Sequence, residues 1–299
     1  MFYQEKYRIP SLVCDASDHL SLWGLSRLFQ EVAEGHTFAT GIGYDALIKQ
    51  NKAWVLCRMR YEVNQMPKMW DTVTLTTWSR GTNGLFAVRD FRMEDEQSHQ
   101  LLASATAYWA VIDFNTRHVT RLHDLMSNYE HHELKATSAE ELHKICPPKE
   151  FKLNNSTLDS NAPQSTNQFI VQQFVALPSM LDHTHHVNNA EYLKWISNHW
   201  PQIGIQPPVD ANSSIYVPTF KPFALQVDYI LETRLNEVIT IHRFPNNPQY
   251  YQETSNCSDK TSTLKNNSID SELSSNSHGT FFFQISNSRG IAANIELSI

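Results

Sequence analysis

Asp182-His183-Thr184-His185-His186-Val187-Asn188-Asn189, continued by Ala190-Glu191-Tyr192-Leu193-Lys194-Trp195, gathers acid, hydroxyl and imidazole side chains at the entrance of an amphipathic segment. From Val187 onward apolar residues recur at 190, 193, 196 and 200, steps of three and four, which predicts a helix over 187–200 with one buried face. The polar cluster then sits at its first turn. Free backbone N–H groups and the positive end of the helix dipole lie there, and they stabilise negative charge developing on an oxyanion, as acyl-transfer chemistry requires.

A second copy of the pattern stands earlier in the chain. A shift of 164 residues lays Asp18-His19-Leu20-Ser21-Leu22 against Asp182-His183-Thr184-His185-His186, and lays Leu22, Leu25, Phe29, Val32 and His36 against His186, Asn189, Leu193, Ile196 and Trp200. The chain reads as a degenerate tandem repeat. In this alignment Leu20 and Leu22 stand where the second copy has Thr184 and His186, so polar groups there are not a structural necessity.

The 299 residues, 41% of them hydrophobic, are enough for each half to bury a core. A net charge of −7 argues against a general nucleic-acid surface. The opening Met1-Phe2-Tyr3-Gln4-Glu5-Lys6 lacks the basic head and apolar core of a signal peptide, and no run of apolar residues is long enough to insert in a membrane, so a cytoplasmic protein is expected. Cys14, Cys57, Cys146 and Cys257 form no C-x-x-C pair and read as reduced thiols.

Period-two patterning predicts strands at 5–14, 54–63, 72–80, 86–94 and 101–113 around a helix at 22–40. One long helix with an antiparallel sheet is α+β, because no second crossover helix alternates with the strands. Ala103, Ala105 and Ala107 share a face of the last strand and would let the helix lie close. The second half repeats the plan: strand 168–177, helix 187–200, strands 224–233 and 237–244, and a hairpin of 280–286 and 291–299. The expected organisation is a first domain at 1–145, a linker at 146–166 and a second domain at 167–299. That second domain holds an insert at 246–279 whose Asn, Ser, Thr and Gln composition is too polar to pack.

A helix wrapped by an antiparallel sheet, duplicated in one chain and carrying D-x-x-x-H-V-N-N at its second helix, resembles the double-hotdog acyl-ACP thioesterases of bacterial type. Leu28-Phe29-Gln30-Glu31-Val32, Trp54-Val55-Leu56-Cys57-Arg58-Met59, Trp78 and His186-Val187-Asn188-Asn189 carry the resemblance. So does Val227-Asp228-Tyr229-Ile230-Leu231-Glu232, where the family has an acidic-Tyr-x-x-Glu-Cys strand. The likeness spans nearly the whole chain outside the insert. It implies hydrolysis of fatty acyl-ACP to free fatty acid and ACP, with no cofactor and no metal.

Carried over by position, the family's catalytic Asp, His and Glu fall on Asp182, His186 and Glu232. Its Asn falls on Thr184 and its Cys on Thr233. Without that Cys, water is the expected nucleophile. Glu232 is the candidate base, His186 would position water or carbonyl and pass a proton, and Asp182 would either orient the imidazole or cap the helix. Thr184 would donate more weakly than the family's Asn, so Thr184→Asn should raise kcat. Asn188 and Asn189 are candidates for lining the acyl channel, with Trp54 and Trp78 among the residues that would close the pocket, formed mainly by the first repeat. Asp228, on the same strand face as Glu232, is the fallback base.

Two other readings remain at this stage. His183, His185, His186 and Asp182 have a metallohydrolase-like density, although consecutive histidines on a helix point about 100° apart. A non-catalytic acyl-binding protein is the other. The implied partner is acidic acyl carrier protein, with a homodimer allowed and neither nucleic acid nor membrane insertion. Arg58, Arg60, Lys68, Arg89, Arg92, Arg117, Arg121, Lys144, Lys149 and Lys152 are the candidates for a basic docking face.

Overall fold

The computed structural model describes residues 1–126, 129–145, 170–199, 221–244 and 280–298. The linker, the insert, Cys146, Cys257, Lys149, Lys152 and Trp200 lie outside them. Strand β1 (Tyr3–Arg8) is shorter than the sequence pattern implies, because Pro10 has no N–H for a ladder and the chain turns through a short 3-10 segment at Ser11–Val13. Helix α1 (Leu22–Ala39) and a small helix α2 (Tyr44–Ile48) follow. Strands β2 (Lys52–Val63), β3 (Thr72–Asn83), β4 (Phe86–Asp95) and β5 (Leu101–Asp113) and one helical turn, α3 (His123–Met126), complete the first half. The second half contains β6 (Ile170–Val175), α4 (Asn189–Ser197), β7 (Phe223–Tyr229), β8 (Val238–Phe244), β9 (Thr280–Asn287) and β10 (Gly290–Ser298).

All ten strands form one antiparallel sheet in the order β1-β3-β4-β5-β2-β7-β10-β9-β8-β6. Outward from the centre each half repeats one order, β2-β5-β4-β3-β1 and β7-β10-β9-β8-β6, and the halves join where β2 pairs with β7. Arg58 and Asp228, register partners at that junction, form a buried ion pair at 2.8 Å. Both long-helix positions start from side-chain caps: Ser21 Oγ accepts from the Gly24 amide, and Asn188 Oδ1 accepts from the Ala190 amide. The second helix therefore begins at Asn189, with Val187 in a bridge to Leu181 and Asn188 as the cap.

These elements correct the repeat offset. The bridges Cys14–Leu20 and Leu181–Val187, the 3-10 segments Ser11–Val13 and Pro178–Met180, and the caps Ser21 and Asn188 all match at 167 residues, not 164. The counterparts of Asp182, Thr184 and His186 are thus Asp15, Ser17 and His19. Leu20 and Leu22 are not their counterparts.

Leu22, Leu25, Phe29 and Val32 of α1 are buried against the sheet. Each contributes roughly 1.5–3 kcal/mol through burial. Ala105 is flanked in register by Tyr61 on β2 and Phe91 on β4, and Phe29 packs on both rings, with centroids 6.4 and 5.1 Å away. The alanine row is the floor of that seat. Gly24 is required where α1 crosses the incoming chain, since a Cβ there would lie 2.5 Å from the Val13 carbonyl oxygen. The opposite face of β5 is covered too, by residues 134–145, with Thr106 bonded to Thr137 and the Tyr108 hydroxyl accepting from the Leu142 amide.

Candidate active site

Between Leu181 and Val187 the chain makes a tight reversal: the Asp182 amide donates to the His186 carbonyl at 2.9 Å and the His185 amide to the Asp182 carbonyl at 3.0 Å. His185 takes a left-handed conformation (φ 65°) to close it and points into solvent. Inside the reversal Asp182 Oδ1 accepts from the Thr184 amide at 2.8 Å and from the Thr184 hydroxyl at 2.6 Å. Asp182 therefore caps this turn, and Asn188 caps the helix. The Thr184 hydroxyl is spent on Asp182, so it is not aimed at an oxyanion, contrary to the sequence expectation. Its oxygen lies 3.3 Å from His186 Nδ1. That oxygen therefore sits against Nδ1, and the imidazole turns its Nε2 toward the cavity.

His186 Nε2 lies 3.2 Å from Glu232 Oε2. Glu232 is not on a strand: β7 ends at Tyr229, where Ile230 and Leu231 both donate to the Ala292 carbonyl and the doubled bond bends the chain away. Arg234 holds Glu232 Oε1, with its Nε at 3.1 Å, and Arg117, reaching over from the first half, holds Oε2. Burial raises the Glu232 carboxyl, but the bond from Arg234 and the charges of His186 and Arg117 outweigh it and hold the group below its usual range. Burial lowers His186, Glu232 opposes it and Arg117 adds to the lowering, so the imidazole stays neutral at neutral pH.

Thr233, the position of the family's Cys, is fully buried, and its hydroxyl oxygen accepts from Tyr192 at 2.7 Å and Asn287 at 3.2 Å. It stands behind the site as a structural group.

A cavity of about 930 Å³ runs from this cluster along α1. Asn189 lines it, and its backbone N–H has no partner among the described residues. Asn188 lines it too, its amide reaching Gln30 on α1 at 3.3 Å. Trp54 forms a wall, fixed by an Nε1 bond to the Ile42 carbonyl at 2.9 Å. Trp78 does not line the cavity: it is fully buried, bonded to the Leu134 carbonyl beneath Phe2 and Arg92. Asp228 is held by Arg58 and the Ile145 amide in the sheet junction, which removes it as a fallback base. His183 packs edge-on to Tyr44 at the cavity rim.

The candidate basic face is dispersed, with Arg58, Arg60 and Arg117 paired to Asp228, Glu62 and Glu232, Arg92 over Trp78 and Arg89 buried. Arg234 and Arg289, which donates to the Glu232 carbonyl, were not singled out from sequence. Their signal was there: Arg234 is two residues past Glu232, and Arg289 lies in the Asn287–Gly290 turn. No three His, Cys, Asp or Glu side chains converge as a metal site would require among the described residues.

The first repeat builds the same turn. Asp15 Oδ1 accepts from the Ser17 amide at 2.8 Å and hydroxyl at 2.6 Å, and Ser17 Oγ is 3.2 Å from His19 Nδ1. The Leu20 amide donates to Pro67 as that of Val187 does to Thr233, and His19 bridges Lys68 as His186 bridges Arg234. The residue opposite His19 is therefore Met66, buried at 4% exposure, where the second repeat has Glu232.

Residues 1–129 match the family described as the acyl-ACP thioesterase N-terminal domain. The chain is 26% identical over 207 residues to a chloroplastic acyl-[acyl-carrier-protein] hydrolase of Cuphea viscosissima, covering 65% of this chain and 46% of that protein. It is 25% identical over 211 residues to the chloroplastic oleoyl-acyl carrier protein thioesterase 2 of Arabidopsis thaliana, covering 67% and 54%. It thus spans about half the length of these curated relatives. An acyl-ACP thioesterase from Bacteroides thetaiotaomicron superposes with TM-score 0.68 at 17% identity, covering 99% of this chain and 96% of that one. The 12:0-ACP thioesterase from Umbellularia californica superposes with TM-score 0.67 at 17% identity, with the same coverage. The fold is the tandem hotdog.

Proposed function

We propose that this chain, which belongs with the acyl-ACP thioesterases, hydrolyses the thioester of fatty acyl-ACP to a free fatty acid and the carrier thiol. The observation that carries the reading is His186 Nε2 at 3.2 Å from Glu232 Oε2, beside a cavity of about 930 Å³. Such a volume lies within the range of sites that enclose a small ligand.

Water held beside Nε2 and the carboxylate, on the cavity side of the pair, is the nucleophile. Its oxygen attacks the thioester carbon while Nε2 takes its proton, because the neutral imidazole is the stronger base once two arginines hold Glu232 ionised. Glu232 orients the water and stabilises the imidazolium. The Asp182–Thr184 pair keeps Nδ1 in its donating tautomer. The tetrahedral oxyanion lies against the Asn189 amide at the start of α4. Collapse expels the carrier thiolate, which recovers the proton from Nε2. Acid and thiol leave, and the enzyme is unchanged.

We place the acyl chain along α1 in the first repeat, the carrier at the Arg117 and Arg234 end, and the enzyme in the cytoplasm. Purified protein is assayed with acyl-ACP and acyl-CoA, with and without chelator. Turnover insensitive to chelation and faster with ACP supports the proposal. Binding without turnover would make the chain a non-catalytic acyl-binding protein, and loss on chelation would make it a metal-dependent hydrolase.

A further inference from the structure

The inner wall of the cavity carries a charge that an alkyl chain cannot use. Arg89 stands on β4 on the same face as Ala87 and Phe91, the face toward α1, and lines the cavity at 8% exposure. Its Nη1 donates to His36 Nδ1 at 2.8 Å and to Thr77 Oγ1 at 3.2 Å, and its Nη2 donates to the Tyr129 hydroxyl at 3.2 Å. All three partners are neutral, His36 being held at about 4 by burial and by Arg89 itself. Among the described residues no carboxylate pairs with Arg89, whereas buried Arg58 has Asp228. A guanidinium cannot shed its charge, and three bonds leave two of its five N–H donors unused.

Ser79, the register partner of Arg89 across the β3–β4 pair, also lines the cavity and is 2% exposed. Its oxygen accepts from the Gly81 amide at 3.0 Å, and its own O–H has no acceptor among the described residues. Two adjacent buried donors thus face one volume, one of them a cation without a counter-ion. The carboxylates that line the cavity from α1, Glu31 and Glu34, are exposed and make no bond to Arg89.

We infer that the acyl group taken by this cavity carries a carboxylate on its distal part, and that Arg89 with Ser79 reads it. The inference rests on the thioesterase reading for its kinetics but not for its binding. An alkyl chain against this wall would leave the donors desolvated and unpaired, and a carboxylate would satisfy both. Arg89 is then a specificity-determining residue, remote from the bond that breaks.

The test uses acyl-ACPs of graded length in matched pairs, one ending in a methyl group and one in a carboxylate. At one length the carboxylate-ended substrate should have kcat/KM on the order of tenfold or more above its partner, the scale of a charge-assisted hydrogen bond. Arg89→Met should abolish or reverse that preference, read as the ratio of kcat/KM for the two substrates of a pair. Calorimetry on the full chain should show the free dicarboxylic acid binding more tightly than the monocarboxylic acid. Equal or better use of methyl-ended substrates at every length by the wild-type protein overturns the inference, a measurement that needs no variant. Should Arg89→Met fail to fold, Ser79→Ala takes its place and should narrow the preference. If no thioester is hydrolysed at all the thioesterase reading falls, and calorimetry still decides this one: equal binding of the two acids overturns it.

Discussion

Asp15, Ser17 and His19 in the first repeat and Asp182, Thr184 and His186 in the second make the same acid-hydroxyl-imidazole contacts at nearly the same lengths, in turns closed by Asp18 and His185 in the same left-handed conformation, and His19 Nδ1 lies in addition 2.7 Å from the Ser17 carbonyl oxygen. The two imidazoles differ in what faces them. His19 is opposite buried Met66, and His186 is opposite Glu232 with Arg117 and Arg234 around it. The acid-hydroxyl-imidazole turn is therefore a way of entering the helix, common to both halves. What sets the second copy apart is the carboxylate on the neighbouring loop and the cations that keep it charged.

If that is the difference, the largest effect belongs to the pair present only once. His186→Ala and Glu232→Gln should each lower kcat by roughly a hundredfold or more, the scale of a lost proton-transfer group, while His19→Ala leaves kcat unchanged. A His19→Ala enzyme as damaged as His186→Ala would erase the distinction. Next comes the hydroxyl that stands against His186 Nδ1. Thr184→Val should cost on the order of tenfold in kcat and Ser17→Ala nothing, whereas Thr184→Asn, whose amide can both accept from Nδ1–H and donate to Asp182, should match or exceed wild type. A Thr184→Val enzyme with full kcat would remove Asp182 and Thr184 from the mechanism.

A subtler effect is expected from Arg117. Its charge lowers both His186 and Glu232, so Arg117→Gln should raise both. The proposed reaction needs neutral His186, so the acid limb of kcat/KM should move to higher pH with a modest loss on the plateau. An unmoved limb would assign Arg117 to substrate binding alone. The smallest effect should be symmetrical: Ser21→Ala and Asn188→Ala remove equivalent caps and should each cost about 1 kcal/mol by denaturant melting. Very unequal costs would show that the two entrances are not built alike.

The α+β class, the duplication and most strands were legible because period two and period 3.6 survive divergence. The offset was not. A shift of three residues rotates a helix by only about 60° from registry, so the apolar stripes of α1 and α4 match almost as well at 164 as at 167. The Asp-His dipeptides at 18–19 and 182–183 favoured the wrong choice. What separates the two alignments is a polar pattern, Asp-x-Ser-x-His against Asp-x-Thr-x-His, whose meaning lies in side-chain bonds within a turn. Glu232 was found through the resemblance, yet its place off the strand depends on a doubled bond to Ala292 that has no sequence marker. Trp78 was misplaced because alternation along a strand gives two faces without saying which one borders a cavity. Arg117 was seen only as surface charge, since its contact with Glu232 spans 115 positions of sequence.

The junction of β2 and β7 gives this asymmetry its opportunity. In a ring of two identical subunits every substitution appears twice, so a residue that improves one seat for chemistry must be tolerated in the other. Here both seats are written separately along one strand of peptide, held in one continuous sheet by Arg58 and Asp228. Met66 and Glu232 could drift apart without consulting each other. One position is filled by a buried methionine, and the other holds a carboxylate that lines the cavity.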